Sequence, residues 1–201
     1  MTCRYKLFYC NLLYSIYMMY KTLYKNYWYA ADKHLKVCKY FISHGQNDLY
    51  ILHNIFYLCG YVLECISTYS IYKHFEWDEA KDIKKNKDTN FIGRSNFSFW
   101  IKDGAPYYVQ NHRFQDNQFQ ILEKEFGKFN IPIINKGYDI DSNIDKLYHC
   151  WNSEIRYMKE GEYCNKNCNL SLLNIKGTDI KEFIDITEKI FNSLTEIVGG
   201  P

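Results

Sequence analysis

This chain has few helix-breaking residues and little excess charge of either sign. Only 3 of its 201 residues are proline, and 10 are glycine. Because proline breaks helix interiors, its scarcity favours long uninterrupted helices. The formal net charge is only +2, whereas a protein that coats nucleic acid is usually much more basic. The composition therefore excludes an extended basic coat and restricts any RNA contact to a local site.

The sequence also lacks several common catalytic motifs and any long apolar run near its start. It contains no Walker loop, no GxGxxG, no HExxH and no serine nucleophile elbow. The apolar segment at residues 7–20 is 14 residues long and includes six Tyr, Asn or Ser residues. It is too short to span a membrane, and no signal-peptide cleavage site follows it. We therefore expect residues 1–21 to be an N-terminal helix or extension, and we expect no membrane partner.

The residues that are present describe an ordinary globular chain. Hydrophobic residues make up 47% and charged residues 24%, which is the globular range. Several of the eight cysteines fall on predicted apolar helix faces, where a free thiol behaves as a small hydrophobe. This pattern predicts a reduced, cytoplasmic protein rather than a secreted disulfide scaffold.

Apolar residues at helical spacing predict an all-α fold, an antiparallel bundle of about five helices. The predicted helices cover residues 22–44, 47–75, 114–126, 141–158 and 178–198. Gly45 should stop the first helix, Asn47 or Asp48 should cap the second, and Thr178 should cap the last. The bundle should occupy residues 22–198, with residues 78–111 as an irregular insertion.

The second predicted helix carries a stripe of polar and small residues opposite its apolar face. Its members recur at spacings of three or four residues, and they are His53, Tyr57, Gly60, Glu64 and Thr68. A glycine inside a helix costs about 1 kcal/mol relative to alanine, so a neighbouring group should approach Gly60 closely. Two interpretations stay open: helix packing with a structural Glu64–Arg156 pair, or a polar groove for a nucleotide or phosphate.

The fourth predicted helix places His149, Asn152 and Arg156 on one face. Arginine binds phosphate in bidentate fashion, and histidine exchanges protons near neutral pH, so His149 and Arg156 are candidate catalytic residues. A capping or ion-pairing role for Arg156 is the alternative. Adjacent His149 and Cys150 would point to different helix faces, so we predict no metal site there with Cys164 and Cys168.

Three segments together resemble the HEPN family of small helical domains associated with nucleotides and RNA. They are residues 28–35 (WYAADKHL), 60–65 (GYVLEC) and 151–157 (WNSEIRY). His112 stands where many relatives have a histidine that opens a helix. The resemblance spans roughly residues 24–198, and the insertion at 78–111 departs from it.

The resemblance implies an all-α bundle that commonly forms dimers. Many HEPN proteins are metal-independent ribonucleases with an arginine four to six residues before a histidine, but no histidine follows Arg156 at that spacing. Other members bind nucleotides beside a nucleotidyltransferase partner, or act in phage-defence or toxin–antitoxin systems. We therefore predict a domain that binds a nucleotide or RNA phosphate, with no cofactor and no DNA partner.

Two alternatives are a degenerate metal-independent ribonuclease and a non-catalytic protein-interaction module. Whether the chain is an enzyme stays open, and we expect a homodimer. The predicted nucleotide- or phosphate-binding residues are Tyr57, Tyr61, Glu64, His112, Trp151, Arg156 and Tyr157.

Overall fold

The computed structural model describes residues 23–45, 48–81, 83, 101–102, 105–106, 117–132, 142–151, 153–158, 163–165, 168–171 and 174–201. This part of the chain is all-α, as predicted from the sequence. Its helices are α1 (Lys25–His44), α2 (Leu49–His74), α3 (Asn117–Phe126), α4 (Ser142–Cys150) and α5 (Gly177–Val198). Short 3-10 helices at Gly127–Phe129 and Ser153–Tyr157 follow α3 and α4.

Two short antiparallel hairpins accompany the helices. The strands β1 (Ile101–Lys102) and β2 (Ala105–Pro106) pair inside the predicted insertion. The strands β3 (Tyr163–Asn165) and β4 (Cys168–Ser171) pair in a region predicted to be irregular. The N-terminal extension at residues 1–21 and most of the insertion at 78–111 lie outside the described residues.

The helices α1 and α2 form an antiparallel pair joined by a short turn. Gly45 ends α1, and its N–H donates to the carbonyl of Phe41. The side chain of Asp48 caps α2 by accepting a hydrogen bond from the N–H of Ile51 at 3.1 Å. Both predicted ends are therefore confirmed, and the apolar face of α1 lies against α2.

The helix α5 packs on both α1 and α2 and closes the core. Phe183 lies against Phe56 of α2 with ring centroids 6.0 Å apart. Trp28 of α1 donates from its indole nitrogen to the hydroxyl of Thr195 at 3.0 Å. The prediction that Thr178 caps α5 is wrong, because the N-cap residue is Lys176 and its side chain makes no capping hydrogen bond.

The core helix α2 is buried on most of its surface. Sixteen of its 26 residues are buried, among them Glu64 and Thr68 of the predicted polar stripe. By length and composition it is the one described helix that passes as a membrane span, although weakly. Packing against α1 and α5 accounts for its apolar character, so it is not clearly a membrane span.

The α-helix predicted over residues 141–158 is shorter than expected. It ends at Cys150, and the chain continues as the 3-10 helix Ser153–Tyr157. The prediction of one continuous helix through residue 158 is therefore wrong. The shared face predicted for His149 and Arg156 depended on that helix, and the side chain of His149 lies outside the described residues. The break is at Trp151, which turns toward α2.

Candidate functional site

The indole of Trp151 is packed directly on Gly60. A Cβ atom at position 60 would overlap the indole ring, so only glycine leaves room for it. The indole nitrogen donates a hydrogen bond to the carbonyl oxygen of Tyr57 at 3.0 Å. Trp151 is only 2% exposed. This contact explains the glycine inside α2, and it fixes the start of the segment that carries Arg156.

Arg156 lies on the surface between two tyrosines. Its guanidinium donates a long hydrogen bond of 3.4 Å to the hydroxyl of Tyr57. The guanidinium carbon also lies 4.6 Å from the ring centroid of Tyr157 and 6.0 Å from that of Tyr57. Such distances are in the range of cation–π contacts. Both aromatic contacts leave the guanidinium exposed and able to bind an anion.

The ring of Tyr57 belongs to a row of aromatic side chains that joins α1, α2 and the residue following α4. Its centroid lies 6.4 Å from Trp151 and 6.4 Å from Tyr61, with interplanar angles of 22° and 9°. Tyr61 in turn contacts the ring of His34 on α1, edge to face, with centroids 5.2 Å apart. We call Trp151, Tyr57, Tyr61 and His34 the aromatic row. Tyr57, Tyr61 and His34 are all half-buried.

Glu64 does not take part in this surface. It is buried, with an exposed fraction of 4%, and it lies seven residues after Tyr57, about 10 Å further along the helix. Among the described residues no ion pair joins Glu64 to Arg156, because the guanidinium is directed to Tyr57 and Tyr157 instead. The structural pair predicted from the sequence is therefore not formed. The predicted groove also does not extend to Glu64.

Burial and nearby charges favour the neutral forms of three groups in or next to the aromatic row, which are Cys65, Tyr61 and His34. Burial and the charge of Glu64 raise the pKa of the Cys65 thiol. The charge of Cys65 and burial raise the pKa of Tyr61, whereas burial and then the charge of Lys33 lower the pKa of His34. Since the thiolate is the nucleophile, Cys65 is an inert packing residue at neutral pH. Tyr61 retains its hydroxyl proton.

The cysteines follow the sequence-based prediction in part. Cys38, Cys59 and Cys65 are free and buried, as expected of small hydrophobes. Cys150 is disulfide-bonded, so the prediction of a wholly reduced chain is wrong at this position. Cys150 directly precedes Trp151, and the disulfide therefore restrains the chain next to the Gly60 contact.

The structure brings together five of the predicted binding residues, and it places a sixth, Glu64, apart from them in the core. The five that form one connected set of contacts are Tyr57, Tyr61, Trp151, Arg156 and Tyr157, of which Trp151 is buried. His112 and the side chain of His149 lie outside the described residues, so their predicted roles stay predictions.

His34 is the site residue that sequence reasoning did not single out. Its signal was its position beside Leu35, a residue of the buried stripe of α1, which places it at the edge of the α1–α2 contact. No group of three or more metal-ligating side chains occurs in the part of the chain that the structure describes. The described arrangement is an exposed cation, Arg156, beside the stacked rings of Tyr57 and Tyr61.

No protein-family model, curated protein or solved structure matches this chain. The resemblance to HEPN domains therefore depends on the three sequence segments alone. It stays a prediction, as do the partners and the activity that it implies.

Proposed function

We propose that this chain binds a nucleotide or an RNA phosphate at the surface formed by Arg156, Tyr57 and Tyr157. One observation carries the proposal: the guanidinium of Arg156 is exposed and directed to two tyrosines, with no carboxylate of the described residues neutralising it. An arginine that served only to neutralise a buried acid would be sealed against Glu64. A free, oriented guanidinium beside aromatic faces suits a phosphate with an attached base.

The remaining features of the proposal come from the HEPN resemblance. They are a homodimer and action in a phage-defence or toxin–antitoxin setting, with a nucleotidyltransferase as the expected type of protein partner. The proposed cytoplasmic location comes instead from the free, buried cysteines Cys38, Cys59 and Cys65. The dimer has its own test, which is light scattering at micromolar concentration. A dimer interface should bury more than roughly 1,000 Å², and a clean monomer would remove this part of the proposal.

Calorimetry with nucleotides and with short RNA tests the binding proposal. We expect saturable binding by the wild-type chain and a loss of at least about tenfold in affinity for Arg156→Ala, because a charged hydrogen bond contributes about 1.5–3 kcal/mol. The matched control is Lys128→Ala. Lys128 is also an exposed cation over an aromatic ring, 5.0 Å from the centroid of Phe129, but it belongs to another element. The absence of saturable binding by the wild-type chain would refute the proposal.

A protein-interaction module is the second candidate function, and one observation favours it. Three aromatic side chains are exposed around the turn between α1 and α2: Tyr40 by 62%, Phe41 by 38% and Tyr50 by 67%. Exposed aromatic clusters of this kind are common at protein contacts. We expect Tyr40→Ser with Tyr50→Ser to reduce self-association or partner binding while leaving nucleotide affinity unchanged. Unchanged association would count against this candidate.

A further inference from the structure

The helix α1 carries aromatic and cationic side chains on the face that is turned away from the core. The buried residues of α1 define its inner face, and they are Ala31, Leu35, Cys38 and Ile42. With about 100° of rotation per residue, four exposed residues lie within about 50° of the opposite direction. They follow one another at spacings of four, three and four residues, and they are Tyr29, Lys33, Lys36 and Tyr40. We call these four residues the outer face of α1.

The two tyrosines of the outer face are exposed rings that a neighbouring ring holds in place. Tyr29 is 53% exposed and Tyr40 is 62% exposed. The ring of Tyr29 meets that of Trp28 edge to face, with centroids 5.5 Å apart, and Trp28 is itself hydrogen-bonded to Thr195. The ring of Tyr40 lies 4.4 Å from that of His44, at an interplanar angle of 32°. Each tyrosine therefore presents exposed aromatic surface on which a planar group from solvent can stack.

The outer face is also cationic. The helix α1 contains four lysines and one acidic residue, a formal charge of +3, whereas the whole chain carries only +2. Lys33 forms no ion pair with the residues that the structure describes. Lys36 pairs with Asp32 at 2.7 Å, but its side chain is 74% exposed, and an exposed pair of this kind is weak. A phosphate group can therefore replace Asp32 as the partner of Lys36.

The composition of the outer face favours a nucleic acid over the other anionic partners. A helix that lies on an anionic membrane inserts its apolar face, but the apolar face of α1 is buried in the core. Lysine is depleted at protein–protein interfaces, although tyrosine is enriched there. Cationic contacts to phosphates and aromatic rings that stack on bases are the combination by which proteins bind single strands with little sequence preference.

We propose that the outer face of α1 binds a single-stranded nucleic acid, with phosphates on Lys33 and Lys36 and bases stacked on Tyr29 and Tyr40. The two tyrosines are eleven residues apart, which is about 16 Å along the helix, so the ligand is a strand of several nucleotides. Its bases must be unpaired in order to stack on protein side chains. This inference goes beyond the proposed function, because the outer face is turned away from α2 and does not include Arg156.

Fluorescence anisotropy with labelled oligouridine RNA and oligothymidine DNA tests this inference. The measurements use the full chain with Arg156→Ala, which removes the cation of the proposed nucleotide surface. We expect affinity to rise with strand length until both tyrosines are covered, and we expect a duplex to bind more weakly. The slope of log affinity against log salt should be about −1.4, the value for two single-strand phosphate contacts. Saturable binding of either single strand with this length and salt dependence supports the inference.

Three substitutions on α1 have expected effects of opposite sign. Lys33→Gln should weaken binding and reduce the steepness of the salt slope by about 0.7. Tyr29→Ser should weaken binding by about tenfold, because one base loses its stacking partner. Asp32→Asn should strengthen binding by about twofold, because it frees Lys36 from its ion pair. A general loss of folding cannot produce a gain in affinity, and circular dichroism checks that each variant is folded.

Two exposed residues on other elements provide matched controls. Tyr50 of α2 is 67% exposed, and Lys128 is a cation over the ring of Phe129. Tyr50→Ser and Lys128→Gln should leave strand affinity unchanged. In the chain with Arg156 intact, Tyr29→Ser and Lys33→Gln should leave mononucleotide affinity unchanged, which separates the outer face from the proposed nucleotide surface.

Three results would overturn the inference. The first is that the Arg156→Ala chain binds no single strand, in which case mononucleotide binding by the wild-type chain would still support the proposed function. The second is that strand affinity does not respond to Tyr29→Ser or Lys33→Gln. The third is that the chain binds phosphatidylserine vesicles through these two residues and has no affinity for strands, which would assign the outer face to a membrane.

Discussion

Replacing Gly60 with alanine should destabilise the protein, although alanine normally stabilises a helix. The added Cβ would overlap the indole of Trp151. Trp151 is 2% exposed and donates to the carbonyl of Tyr57, so it cannot move aside without losing buried area and a hydrogen bond. The perturbation is therefore a local steric conflict between α2 and the segment that carries Arg156.

The magnitude follows from two opposing terms. Overpacking a well-packed core costs about 1–3 kcal/mol, and three atoms of the indole would meet the new methyl group, which places the cost near the upper limit. The gain in helix propensity from glycine to alanine is about 1 kcal/mol. We expect a net loss of about 2 kcal/mol in the free energy of unfolding. For a chain of this length that corresponds to a decrease of about 4–8 °C in Tm.

Urea unfolding followed by circular dichroism measures the effect, and a double-mutant cycle identifies its cause. In the Trp151→Ala background the conflict is absent, so Gly60→Ala should be neutral or stabilising by up to about 1 kcal/mol. Gly127→Ala is the matched control, because a Cβ there would meet only Glu123 at an ordinary 3.9 Å. Equal destabilisation by Gly60→Ala with and without Trp151 would refute the explanation.

Three further substitutions test contacts that hold the helices together. Asp48→Ala should lower the free energy of unfolding by about 1 kcal/mol in urea, because it removes the N-cap of α2. Tyr24→Phe should cost about 1 kcal/mol through loss of the 2.8 Å hydrogen bond to Glu79, and an unchanged urea midpoint would contradict this. Burial and the charge of Glu79 raise the pKa of Tyr69 to about 12. The folded state therefore holds this proton more tightly than the unfolded chain, so stability should fall as pH rises from about 10 to 12. Tyr69→Phe should reduce that alkaline loss in pH-dependent unfolding, despite losing its hydrogen bond to Gly199.

The helices could be predicted from the sequence where burial alone decides the pattern. The apolar stripes of α1, α2 and α5 identify core helices, and the positions of Gly45 and Asp48 identify the turn between the first two. The break after Cys150 could not be predicted, because it depends on the contact of Trp151 with Gly60 of α2. Gly60 lies 91 positions earlier in the sequence. Local propensity contains no information about that contact.

The candidate site was predictable in its chemistry and less so in its geometry. A glycine within α2 indicated a close neighbour, and the indole of Trp151 is that neighbour. Opposite charge alone predicts a pair between Glu64 and Arg156, but that pair requires Glu64 to face the 3-10 helix. Tyr61 and Tyr57 lie three and seven residues before Glu64, spacings that place all three near one face of the helix. The two tyrosines are nevertheless half-buried, whereas Glu64 is only 4% exposed. Sequence spacing does not resolve such a difference in depth.

The central position of α2 has a consequence for hydrogen exchange. This helix packs against α1, α3, α5 and the 3-10 helix Ser153–Tyr157, so its middle amides cannot reach solvent by the detachment of one neighbour. The amides from Val62 to Tyr72 should therefore exchange only through global opening, and their protection should report the full free energy of unfolding. Amides in the 3-10 helix need only the release of Trp151 from Gly60. A ligand bound at Arg156 would slow exchange in that segment first, because Arg156 belongs to it.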